Sequence, residues 1–131
     1  MNEVINRLRF ILLAASVLFA AFCGIQGWII ANIGAANAVP QLEGDGGGIV
    51  LFACLVFIAG GLSFIRTIPG LGGYVIAILV AFLVALLFQD PVVYFFASIA
   101  FLLCTLNYFV HRVSRIRTTG SGVSAKPQRV K

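Results

Sequence analysis

The sequence predicts an all-α integral membrane protein, a bundle of four transmembrane helices in antiparallel order with both termini in the cytoplasm (N-in/C-in). Three observations lead there. Apolar residues make up 61% of the 131-residue chain and charged residues 10%, against roughly 45–50% and about 25% in soluble domains. The apolar residues gather into four runs, each bounded by polar or turn-forming residues. The basic residues all fall on segments that four crossings would leave on one side. A water-soluble fold of this size has no core large enough to hide so much apolar surface. Lipid as the solvent removes the difficulty.

The first span is expected over residues 10–31, after a short polar start carrying Arg7 and Arg9. Only Ser16 and Gln26 clearly interrupt the run, which makes roughly 33 Å of helix against a hydrocarbon core of about 30 Å. Ala36-Asn37-Ala38 has the small-x-small form of a signal cleavage site, so removal of the segment after Ala38 is an alternative. The run is longer than the ~7–15 apolar residues of a signal core, which favours a retained span. Residues 32–48 read as a loop, rich in Gly, Asn and Ala, with Glu43, Asp45 and the triplet Gly46-Gly47-Gly48.

The second span, 49–65, is short and ends at Arg66. Pro69, Gly70, Gly72 and Gly73 then suggest a turn. The third span covers 71–88, and Gln89-Asp90-Pro91 forms a tight turn, with Pro91 suited to the first turn of a helix. The fourth span, 92–110, is closed by His111 and Arg112. Residues 1–112 thus form the membrane domain and 113–131 a basic cytoplasmic tail, expected to be disordered, with 110–117 able to prolong the fourth helix. Period-two alternation does not persist in any run, which disfavours a barrel. Continuous apolar segments satisfy their backbone groups in lipid as helices.

Orientation follows from the Lys/Arg bias. The N-terminal segment, the 66–73 connection and the tail hold all 9 basic residues. The opposite connections hold Glu43, Asp45 and Asp90 and no basic residue. The tail residues Arg112, Arg115 and Arg117 are expected to fix topology and to meet anionic lipid headgroups. A basic tail on so apolar a body argues against nucleic acid as a partner. With neither a disulfide framework nor a glycosylation sequon, the expected location is the bacterial cytoplasmic (inner) membrane.

Small residues allow helices to meet closely in lipid. Ser16, Ala20, Gly24 and Gly27 form such a stripe on the first span, Gly60 and Gly61 a pair on the second, and Ala77, Ala81 and Ala85 a stripe on the third. These are the expected helix-packing residues, within the bundle or between subunits. Trp28, Tyr74, Tyr94 and Tyr108 fall near span ends, where aromatic rings favour the interface.

The chemistry-bearing residues are few. Ionisable groups deep in lipid usually mark ion or substrate paths, and the central parts of the four runs contain no Asp, Glu, Lys, Arg or His. His111 stands alone at a boundary, which gives neither paired haem ligands nor a Ser/His/Asp set. Cys23, Cys54 and Cys104 lie at different expected depths and read as small hydrophobes. No cofactor, metal site or catalytic residue is expected, and the chain reads as a non-enzyme. Gln26, Asn32 and Asn107 could form a polar lining. The leading expectation is a structural or accessory component that packs with itself or with another membrane protein. The alternative is a small oligomeric transporter or holin-like pore for neutral or lipid-like cargo.

Overall fold

The computed structural model describes residues 2–121, and these form four helices and no strand. The helices are α1 (Asn2–Ala36), α2 (Pro40–Ile65), α3 (Thr67–Phe88) and α4 (Pro91–Ser121). All four are long and apolar enough to cross a membrane. Even α3, the shortest at 22 residues, measures roughly 33 Å. Large apolar side chains cover the outside, among them Leu18 at 72%, Ile65 at 74% and Phe101 at 64% exposure. Such a surface suits lipid and not water.

The connections are shorter than the sequence suggests. The loop expected over 32–48 is replaced by residues 37–39 alone. There, Ala38 turns the chain with φ 54°, and the Val39 amide donates to the Gly34 carbonyl at 2.8 Å. Pro40 opens α2, where its missing N–H is no loss. The turn expected over 66–73 is likewise helical from Thr67 onward, and Arg66 alone links α2 to α3 in an extended conformation (φ −143°, ψ 130°). Gln89 leaves α3 in the left-handed region. Asp90 then receives the Val92 amide on Oδ1 at 2.9 Å, a helix N-cap. At the far end, α4 carries Arg112, Arg115 and Arg117 on to Ser121, so the tail expected to be disordered from 113 begins as helix. Its remainder, 122–131, lies outside the described residues.

Packing explains why a glycine-rich segment is helical. Glycine costs about 1 kcal/mol against alanine in a helix, yet the segment 44–48 is flanked by helices on two sides. A Cβ on Gly46 would run into the backbone of Ala31. One on Gly44 would meet the Phe88 ring at 2.8 Å, and one on Gly48 the Val84 methyls at 2.8 Å. Only Gly47 faces open space. Along α1 and α2 the close approaches pair Gly34 with Glu43, Gly27 with Gly46 and Val50, Gly24 with Ala53, and Ser16 with Gly60. Between α2 and α3 the approaches are Gly73 to Ala59 and Gly70 to Ser63.

Larger side chains fill what remains. Phe52, Ile49, Val56, Tyr74 and Val93 are each at most 1% exposed. Phe19 sets its ring edge-on to Phe52 and Phe96, at centroid distances of 6.0 and 6.1 Å, which joins α1 to both α2 and α4.

This arrangement separates two neighbouring glycines by their surroundings. Gly46→Ala is expected to destabilise the bundle by about 1–3 kcal/mol, as overpacking does. Gly47→Ala should leave it unchanged or up to about 1 kcal/mol more stable. Unfolding of both variants in detergent, followed by helical circular dichroism, measures the difference.

Candidate functional site

Polar groups occupy three places: the middle of the bundle and its two ends. In the middle, the Tyr74 hydroxyl is hydrogen-bonded to Ser16 Oγ, and Ser63 lies near the same phenol with its own buried Oγ unpartnered. Ser16 Oγ also donates to the Leu12 carbonyl at 2.8 Å. Ser16 and Tyr74 are both 0% exposed, so α1, α2 and α3 meet around one buried hydroxyl cluster. The space for it comes from Gly60, whose Cβ would meet Ser16 Cβ at 2.6 Å. Tyr74 was expected at the lipid interface and lies instead in the core. Trp28, Tyr94 and Tyr108, by contrast, are exposed.

At one end, Asn107 on α4 donates Nδ2 to the Thr67 carbonyl at 3.3 Å, and Thr67 Oγ1 pairs with His111 Nδ1 at 3.3 Å. These bonds tie α4 to the start of α3. Arg9, Arg66, Thr67 and His111 line a cavity of about 450 Å³ there. At the opposite end, Asp45 and Asp90 line a second cavity, of about 400 Å³, with Gln41, Gln89, Leu42 and Phe88. The two carboxyl groups lie close enough to one another to interact. Asp45, expected in a loop, sits on α2 and is only 6% exposed. Its Oδ1 has no hydrogen-bond partner.

The remaining candidates from sequence are distributed as follows. Ser16, Ala20, Ala77, Ala81 and Ala85 are buried, and Gly24, Gly27 and Gly60 face neighbouring helices closely. A Cβ added on Gly61 would meet nothing within 4 Å. Gln26, Asn32 and Asn107 do not meet. Asn32 is exposed and donates to the Trp28 carbonyl at 2.8 Å, Gln26 is half-buried, and Asn107 uses Nδ2 at the α3–α4 contact while its buried Oδ1 has no partner. Arg112, Arg115 and Arg117 are exposed along α4. Cys23, Cys54 and Cys104 are free thiols, and among the described residues no group of three His, Cys, Asp or Glu side chains could hold a metal.

An apolar groove completes the surface. Between α1 and α2, Ala20, Ala21, Gly24, Ala53 and Cys54 floor a hollow of about 410 Å³, bordered by Val17, Phe57 and Ile58. Sequence reasoning missed this groove because Ala21 and Cys54 fall off the small-residue stripes. It missed the acid pair because Asp45 and Asp90 come from connections far apart in the chain. Compared with known proteins, the chain matches no family model, no curated sequence and no solved structure.

The buried hydroxyl cluster should contribute as an interhelical bond in lipid does. Tyr74→Phe and Ser16→Ala are each expected to cost about 0.6–1.7 kcal/mol. Because the two act on one bond, the double variant should cost less than the sum. Unfolding free energies of the three variants in detergent test this.

Proposed function

We propose that the chain is a small, non-enzymatic, multi-pass protein of the bacterial cytoplasmic membrane that associates with a second copy of itself in a structural role. Its helices cross in antiparallel order with both termini in the cytoplasm. Support for that orientation comes from the two ends of the bundle. Arg9, Arg66 and His111 surround one cavity, and Asp45 and Asp90 the other. Cytoplasmic segments are the ones enriched in Lys and Arg.

The observation that carries the association is the α1–α2 face. It holds a hollow and a ridge side by side: a floor of Ala20, Ala21, Gly24 and Ala53, and Phe57 and Ile58 standing 55% and 53% exposed. A two-fold interface uses one surface patch on both subunits, so the patch must complement itself. A face with both features is suited to that kind of contact. In lipid the gain comes from close van der Waals packing over small residues, and an apolar floor of this kind offers a polar ligand nothing to bond. A transport path through one copy would need the room that Phe52, Ile49, Val56 and Tyr74 fill, which favours the structural role over the pore.

The mass of the purified protein in mild detergent, by light scattering with the detergent contribution subtracted, tests the reading. The expected result is a dimer that Ala21→Trp converts to monomer. Ala21 is exposed on the groove floor, so the new side chain fills the hollow without entering the core. A monomeric wild type, or a dimer indifferent to both Ala21→Trp and Phe57→Ala, overturns the association. Solute flux into liposomes by the purified protein would move it to the transporter class.

A further inference from the structure

The end of the bundle opposite Asp45 and Asp90 gathers basic residues from three places around one hollow. Arg9 comes from α1, Arg66 from the single residue that joins α2 to α3, and His111 from α4. No acidic side chain lines this cavity of about 450 Å³. Arg66 is exposed and Arg9 half-buried. The Arg9 Nε is sealed and has no hydrogen-bond partner, so an occupant of the cavity can meet that guanidinium only at its terminal nitrogens. A cleft lined by charge of one sign draws the opposite charge into it. The occupant that suits it is an anion.

The backbone adds to this preference. Arg66 is the N-cap of α3, and no side-chain hydrogen bond caps the helix there. The first turn, Thr67, Ile68 and Pro69, lines the same cavity. Thr67 Oγ1 is paired instead with His111 Nδ1 at 3.3 Å. Pro69 has no N–H, and the Gly70 amide is given to the Arg66 carbonyl at 3.4 Å, which leaves the Thr67 and Ile68 amides. Free amides at a helix N-terminus, with the positive end of its dipole, favour phosphate.

The rim decides which phosphate fits. Ile65 and Ile68 line the cavity beside the arginines and stand 74% and 66% exposed. At the end of a membrane-spanning bundle, a phosphate held here has apolar surface on which acyl chains can lie, and a free phosphate would leave that surface bare. A choline headgroup would bring a cation into a hollow with no acid to receive it. We propose that this cavity binds the phosphate of an anionic phospholipid, with Arg9, Arg66 and the α3 N-terminus around the phosphate and the acyl chains along Ile65 and Ile68. The site rests on neither the self-association nor the orientation proposed above. It is also distinct from Arg112, Arg115 and Arg117, which line no part of the cavity.

The lipids retained by the full chain test the site. The protein is reconstituted in vesicles of equal phosphatidylglycerol and phosphatidylcholine, then extracted in mild detergent. Half is washed in sodium phosphate and half in sodium chloride of equal ionic strength, and bound lipid is measured by mass spectrometry. Phosphatidylglycerol should be preferred about twentyfold in both washes, at about fivefold for each arginine. Arg9→Gln and Arg66→Gln should each lower the preference about fivefold, whereas Arg9→Lys, which keeps the charge, and the double variant Arg112→Gln/Arg115→Gln should retain most of it. Helical circular dichroism shows which variants are folded. Equal retention of the two lipids by the wild type overturns the proposal whatever the variants do. So does loss of phosphatidylglycerol in the phosphate wash alone, which would make the site one for a free anion. A preference kept by folded Arg9→Gln and Arg66→Gln but lost in Arg112→Gln/Arg115→Gln overturns it as well.

Discussion

The close approach of α1 and α2 is the constraint from which the rest of the architecture follows. Where Gly46 meets Ala31, and Gly34 meets Glu43, backbone lies against backbone with no room for a Cβ. Helices in lipid gain little from hiding apolar surface from each other, so van der Waals contact over small residues supplies much of their attraction. That contact requires both helices to remain regular to their ends. It holds the glycine segment 44–48 in a helix and leaves only 37–39 to reverse the chain. Gly44 and Gly48 then bring Phe88 and Val84 of α3 against the other side of α2, which makes α2 the shared wall of two seams.

The polar inventory is arranged by the same constraint. An unpaired polar group in a low-dielectric interior is costly, and most of the buried ones have a partner on a neighbouring helix. Tyr74 and Ser16 join α1 to α3, while Asn107 and Thr67 join α3 to α4. Ionisable groups are pushed to the ends, basic around Arg9, Arg66 and His111 and acidic around Asp45 and Asp90. Asp45 Oδ1, Ser63 Oγ and Asn107 Oδ1 depart from this economy, each buried without a partner. Extending α2 through the glycine segment carries the Asp45 carboxyl into the bundle opposite Asp90, where helix packing gives Oδ1 no donor.

The four helices were legible in the sequence because length and apolarity alone indicate them, and neither depends on tertiary contacts. Connections were harder, since Gly and Pro mark turns by local preference. At Gly44, Gly46 and Gly48 the preference is overridden by two neighbouring helices that only glycine admits so closely. Pro69 lies in the first turn of α3, where its missing N–H is no loss, so it marked a helix start where local preference suggested a turn. Tyr74 looked interfacial by its position near a span end. Its hydroxyl is bonded to Ser16, which belongs to another helix. Of the candidate residues, Ser16, Gly27 and Gly60 showed in the small-residue spacing, whereas the Asp45–Asp90 pair is created by the fold and has no local signature.

The most direct measurement of this constraint is hydrogen–deuterium exchange of the backbone amides across residues 32–50 in detergent or nanodiscs. A glycine segment locked in a helix between two others predicts slow exchange through 43–48, with rapid exchange confined to the short reversal at 37–39. Rapid exchange across the whole of 32–48 would instead describe a flexible loop. The close seam between α1 and α2, and the buried position of Asp45 that depends on it, would then be wrong.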